Sequence, residues 1–249
     1  PPADLLAWTE GRALVASGSI GSILAANLSI SGMAAASRAY DGTTAATLSN
    51  SGTLDGVLGN DVVSLGPVTA SFADKNIGTG KTVTIAGITI SGTDSGNYTV
   101  SQPASSTANI AAAPLTITAS NQTKTYGFGG TSASLGTSAF TSSGLVNGES
   151  IGAVTLTTND TTSTSGNYKV GTYTLTPSAA TGGTFTATNY TITYANAPTG
   201  LVVNAAGLTI TGLSGTNKTY DGKTSDPITG TAALSGLVSG DSVNVTNGT

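Results

Sequence analysis

The sequence predicts an all-β protein: tandem small β-sandwich or β-grasp-like domains arranged end to end, with little or no helix. Three observations predict it. Apolar β-branched residues alternate with Thr and Ser, as in TVTIAGITISG from Thr82, and period two is the pattern of a strand with one wet and one buried face. Short clusters of Gly, Asn, Asp and Ser separate these runs and supply turns. The third observation is repetition. LTITGLSGTNKTYDG at residues 208–222 nearly copies LSISGMAAASRAYDG at 28–42. LTITASNQTKTYG at 115–127 is a further relative whose tyrosine comes one residue earlier.

The elements follow in order. Residues 1–27 read as the tail of an upstream region. Within them ADLLAWTEGRALVA (3–16) carries the one helix-like pattern, a turn or two weakened by Gly11. Residues 28–113 form one unit. Its first strand is followed by Tyr40-Asp41-Gly42, then GVLGNDVV from Gly56, then the 82–92 strand and SGNYTV with Asn97-Tyr98. Residues 114–207 form a second unit, with Tyr126-Gly127, GLVNGESI from Gly144, strands at 153–159 and 171–177, and TNYTIT with Asn189-Tyr190. Residues 208–249 read as the truncated start of another unit like the first, with Tyr220-Asp221-Gly222 and GLVSGDSV from Gly236. The chain begins at Pro1 without Met or signal peptide, so it is expected to be a piece of something longer.

Each signature has a physical reading. Leu and Ile of the first strand face the core, and the tyrosine anchors the crossover that follows. Asp-Gly is a strong turn pair in which Gly supplies positive φ. Each Asn-Tyr opens the strand that closes its unit, with the ring buried and the amide in the preceding turn; a buried Tyr keeps its hydroxyl bonded or wet while the ring fills core.

Composition narrows the function. Only 8% of residues are charged, against about 25% in an average domain, so the surface is wetted by hydroxyls and amides. Net charge is −4 and the eight basic residues stand singly, which excludes nucleic acid as a partner. No apolar run reaches the ~20 residues of a membrane helix. Cys and His are absent, which removes disulfides, thiolate nucleophiles, His-based triads and the usual zinc ligands.

The remaining candidates for chemistry have ordinary readings. Lys75 and Lys81 near Asp74 read as solvated turn and strand charges, and Lys81 with Asn97 as an isopeptide pair has nothing specific behind it. The carboxylate pairs Asp55/Asp61 and Asp221/Asp226 are what any extracellular domain contains, although glycosidases use two. DGVLGND from Asp55 lacks calcium-loop spacing and reads as a polar turn; Glu149 and Asp241 occupy the matching place in the other copies. GTG at Gly78 reads as a hairpin turn rather than a phosphate loop. Trp8 is the one Trp and reads as packing. Thr rows are the wet faces of strands. The expectation is therefore no enzyme, no cofactor, no metal, and an unknown ligand-binding residue set.

These residues carry a resemblance. Tyr40-Asp41-Gly42-Thr43-Thr44 and SFADKNIGTGKTVTIAGITISGTDSGNYTV from Ser71 resemble the YDG domain of bacterial surface proteins, over nearly all of 28–112. Phe72, Lys75, Gly78, Gly80, Lys81 and Asn97-Tyr98 sit where that pattern places them. The second unit is similar to the companion MBG-type repeat, which carries Tyr-Gly in place of Tyr-Asp-Gly. Residues 208–249 look like the first half of another YDG domain. The resemblance implies an extracellular stalk in a large filamentous-haemagglutinin-like adhesin, mainly of Gram-negative bacteria, and implies no activity or cofactor.

Three functions follow as expectations. One is a non-catalytic spacer or fibre on the bacterial surface or secreted from it, whose partners are neighbouring repeats. The second is a module that grips surface glycans or mucin. The third is a filament subunit that pairs with like chains through the open strand edges of the incomplete domain.

Overall fold

The computed structural model describes residues 22–102 and 105–245, with the backbone of two short strands ahead of them. Those strands, Ala7–Thr9 and Arg12–Leu14, pair antiparallel with Thr9 opposite Arg12. Where the helix is expected, residues 7–9 and 12–14 are thus paired strands. Trp8 and Thr9 favour strands. The remainder of 3–16 lies outside the described residues.

The chain is all-β with little helix and divides into two compact units, 1–111 and 112–249. In the first, the opening strand Ala26–Ser31 lies between Tyr98–Val100 and Thr53–Asp55. Its Asn-Tyr neighbour is parallel, Val100 opposite Leu28, and its return neighbour antiparallel, Ser29 opposite Asp55. A parallel neighbour about 70 residues later needs a long crossover. That crossover supplies four strands of a second sheet and Ser106–Ala111, beyond it, the remaining one, in the order Arg38–Ala39, Ser106–Ala111, Gly78–Ala86, Thr69–Phe72, Ala45–Ala46. Leu28, Tyr40, Phe72, Val83, Ile85 and Ile110 form the core, each at most 4% exposed.

The second unit repeats the scheme. Its opening strand Ala113–Ala119 lies between the parallel Tyr190–Ala195 and the antiparallel Phe140–Ser143. Ala113, Leu115, Ile117 and Ala119 are all buried, so period two is read directly as a core face. Gln122–Thr125, Leu201–Asn204 and Gly171–Tyr173 form a further sheet, and Ile151–Thr158 pairs with Leu175–Gly183. One helical turn, Ser132–Leu135, interrupts the strands; Ser134 Oγ accepts the Thr131 N–H and donates back to its carbonyl, which stabilises so short a helix locally. Beyond it, Thr209–Gly215 and Ile228–Ser235 form an antiparallel hairpin.

Two expectations are corrected here. The Asn-Tyr strand does not end its unit: a further strand follows each, Ser106–Ala111 and Leu201–Asn204. Their small or short sequences, STANIA and LVVN, gave little period-two signal. GTG at Gly78 is not a turn either, since it begins the nine-residue strand Gly78–Ala86, with a bulge near Gly80 at φ +59°. The hairpin turn lies before it, where Asp74 Oδ1 accepts the Asn76 N–H at 2.8 Å.

Candidate functional site

The second and third signatures of each unit meet in space. In the first unit Tyr98 begins its strand with the ring 6% exposed, and Asn97 ends the 3-10 turn before it. The Tyr98 hydroxyl donates to Asp61 Oδ2 at 2.5 Å and accepts the Leu58 N–H at 3.0 Å. In the second unit Tyr190, also 6% exposed, donates to Glu149 Oε2 at 2.6 Å and accepts the Val146 N–H at 3.2 Å. Asn189 is buried in the turn before it. The repeated acid is therefore the acceptor for the repeated tyrosine, a long-range pairing that spacing alone does not reveal.

The acid is presented by one turn, built three times. Asp61 N–H donates to Leu58 O, Glu149 N–H to Val146 O and Asp241 N–H to Val238 O, at 3.1, 3.0 and 3.0 Å. Positive φ falls at Gly59 in the first, at both Asn147 and Gly148 in the second, and at Gly240 in the third. The position of Gly in GN, NG and SG thus sets three different backbone paths across the same closing bond. Ahead of the second and third turns a glycine lets the chain pass close over the start of the opening strand. At Gly144, φ is +107° and a Cβ would lie 2.3 Å from Pro114 O.

The third acid has another partner. Asp241 Oδ1 accepts the Tyr126 hydroxyl at 2.9 Å, and that hydroxyl also meets Ser163 Oγ at 3.0 Å and Ser165 Oγ at 3.1 Å. Gly127 lies at φ +97° against Val238.

The Tyr-Asp-Gly turn is also made twice. Asp41 Oδ1 accepts the Thr43 N–H at 2.8 Å and Asp221 Oδ1 the Lys223 N–H at 2.9 Å. Gly42 and Gly222 sit at φ +78° and +72°. A cation three residues back closes each, Arg38 on Asp41 and Lys218 on Asp221 at 3.0 Å. Partial burial raises the Asp41 carboxyl, but bonds from Thr43 and Arg38 outweigh it and hold it below the ordinary 3.8. Lys218, then the Lys223 N–H, lower Asp221 in the same sense. The tyrosines differ: Tyr40 is 2% exposed and Tyr220 is 93% exposed. Tyr40 N–H donates to Ala111 O and Tyr126 N–H to Asn204 O, each at 2.8 Å, so these two tie down the final strand of a unit. No such strand stands beside Tyr220 among the described residues, and its expected anchoring is not seen.

The other candidates are placed plainly. Lys81 Nζ meets Asp74 Oδ1 at 2.8 Å, which with the Asn76 N–H lowers the Asp74 carboxyl. Lys81 is thus an ion-pair residue rather than a partner of Asn97. Asp55 is exposed on its strand, while Asp61 is taken by Tyr98. Trp8 falls on the Ala7–Thr9 strand, and its side chain lies outside the described residues. No group of three or more acids, Cys or His gathers among the described residues, and no helix there is long and apolar enough to cross a membrane. A cavity beside Gln122 is lined by Lys124, Ser134 and Ser138. Gln122 donates to Leu135 O at 2.9 Å while its Oε1 stays unbonded. These groups give the cavity its polarity.

Comparison with known proteins agrees with this geometry. The family model of the YDG domain matches residues 25–108, and that of the MBG domain of the YGX type matches residues 115–198. No curated protein and no solved structure matches the chain. Both matched ranges contain an opening strand, an acid turn and its Asn-Tyr strand, and on these grounds the chain carries a YDG domain followed by an MBG domain of the YGX type.

Proposed function

We propose that this chain is a stretch of the non-catalytic extracellular repeat region, a stalk or fibre, of a large bacterial surface or secreted adhesin. The YDG and MBG domains in succession support the reading. The observation that carries it is the register of the first and third hairpins. Ser29 pairs with Asp55, Ile30 with Leu54 and Ser31 with Thr53; 180 positions later Thr209 pairs with Ser235, Ile210 with Leu234 and Thr211 with Ala233. This shared register supports reading residues 208–249 as the start of a second YDG-like unit. In an array of such units each one adds length and a neighbour contact. Low charge and the absence of Cys suit export as an unfolded chain and folding outside without disulfides. Light scattering with small-angle X-ray scattering tests this: an elongated monomer of 24.1 kDa is expected, and a compact sphere counts against it.

Self-assembly by strand addition is the second reading. The Thr209–Gly215 strand has no parallel neighbour among the described residues, although both other opening strands have one. Ile210 and Leu213 on it are 57% and 45% exposed. Concentration-dependent oligomers abolished by Leu208→Pro, which removes an N–H on the open edge, would favour this reading over the spacer; Leu208 matches Leu28, whose carbonyl accepts the Ser101 N–H from the parallel side.

A further inference from the structure

Tyr-Asp-Gly and Tyr-Gly use the same tyrosine differently. Tyr40 is buried in the core of its own unit, and the Asp41 side chain turns back onto the Thr43 N–H. Tyr126 sends its hydroxyl onward to Asp241 Oδ1 at 2.9 Å. A carboxylate can only accept, so the tyrosine is the donor. The same hydroxyl lies 3.0 Å from Ser163 Oγ and 3.1 Å from Ser165 Oγ. Asn167 holds both serines, from its N–H to Ser163 Oγ and from Nδ2 to Ser165 Oγ.

Ser165 opens SGNYKV, a second copy of the SGNYTV at Ser95. In the earlier copy Tyr98 takes the acid of its own unit. In the later one Tyr168 is buried, packs on Phe128 with ring centroids 5.8 Å apart, and donates its N–H to Gly129 O. This pins the 159–170 loop beside the Tyr-Gly pair. Packing agrees with the polar contacts. A Cβ on Gly127 would lie 2.9 Å from Val238 Cγ2 and 3.1 Å from Cγ1, and one on Gly240 3.1 Å from Ser165 Cβ. At Gly148, the matching turn glycine of the second unit, a Cβ meets nothing within 4 Å.

We propose that Tyr126-Gly127 and the 159–170 loop form a socket by which an MBG-type unit holds the acid turn of the repeat that follows it, a turn with glycine directly before aspartate. The tyrosine of a YDG unit closes its own core; that of an MBG-type unit serves its successor. The side chain missing from Tyr-Gly makes the room, since the aspartate of Tyr-Asp-Gly would run into Val238 at position 127. The acid turn follows directly on the Thr209–Gly215 and Ile228–Ser235 hairpin, whose residues are mostly exposed. A lone two-stranded hairpin is marginal in water, so a seated turn is its anchor. The proposal rests on reading residues 208–249 as the start of a further repeat.

Hydrogen exchange of the whole chain, read by mass spectrometry on that hairpin, tests the socket, with Ala113–Ala119 and Tyr190–Ala195 as the standard for an intact MBG unit. Tyr126→Phe and Asp241→Ala should each quicken the hairpin about tenfold or more, the effect of losing a bond to a charged group, and leave the standard unchanged. The double variant should be no faster than the faster single one, because both remove one bond. Gly127→Ala should also quicken the hairpin. Adding Val238→Ala should slow it again by removing the two methyl groups in the way, while backbone strain at residue 127 stays the same. Should Gly127→Ala loosen the standard itself, the Tyr126 and Asp241 variants decide alone. The socket is overturned if the unaltered hairpin exchanges without protection, if it ignores Tyr126→Phe and Asp241→Ala, if their effects add, or if Val238→Ala fails to relieve Gly127→Ala. A chain without the socket would still scatter as an elongated monomer, and a compact sphere would leave these rates as they are, so the two readings fail separately.

Discussion

The tyrosine hydroxyl on a turn carboxylate is a residue-scale device with a defined cost of removal. Tyr190→Phe deletes the bond to Glu149 and leaves the Val146 N–H without its acceptor. Bonds to charged groups contribute roughly 1.5–3 kcal/mol, and a loss of that size should lower the thermal midpoint of the second unit. Glu149→Gln, which keeps an acceptor oxygen, should lower it less. Tyr98 offers a pH test. Its bond to Asp61 is the largest cause raising its phenol above the ordinary 10.0. A raised folded value means the folded state favours the proton. The stabilisation is therefore full below about pH 10 and is lost as pH rises through the raised value. Thermal melts from pH 8 to 11 should fall at the top of that range, together with a late-titrating phenolate absorbance. Asp41 and Asp221 act in the opposite sense: what they contribute is present above about pH 4 and fades as pH falls, by little, because both carboxylates are about half exposed.

At the scale of the element, glycine decides where the chain can cross itself. Gly144 and Gly148 both have positive φ, but a Cβ at Gly144 meets Pro114 O whereas one at Gly148 meets nothing within 4 Å. Gly148→Ala should therefore cost only the backbone penalty, on the order of 1–2 kcal/mol. Gly144→Ala should cost more, because the return strand must move off the opening strand; denaturant midpoints of the two variants decide this. Strands and turns of this kind were legible in the sequence, since period two and Gly-containing turns act locally. The exit strands, the bulge at Gly80 and the Ser132–Leu135 turn were not. Each is held by a partner distant in sequence or by side chains that carry no periodic signal.

Over the whole molecule, one sequence motif has two fates. Tyr40 lies buried in a core and Tyr220 stands exposed, so Tyr40→Ala should cost about 3–5 kcal/mol, as large aromatic truncations do, and Tyr220→Ala almost nothing. Unfolding curves of the two variants check the difference. The Asp-Gly turn beside each tyrosine closes the same way in both copies, because the bonds that shape it run between residues 38 and 43, or 218 and 223. The sequence by itself determined what local forces set: alternating strands, Asx turns, positive-φ glycines and a repeat in fixed register. The tertiary structure alone decided which acid holds which tyrosine. Asp61 and Tyr98, Glu149 and Tyr190, Asp241 and Tyr126 are separated by 37, 41 and 115 positions. Such a bond exists only after a parallel strand has crossed back over the unit, and no short stretch of sequence contains both of its ends.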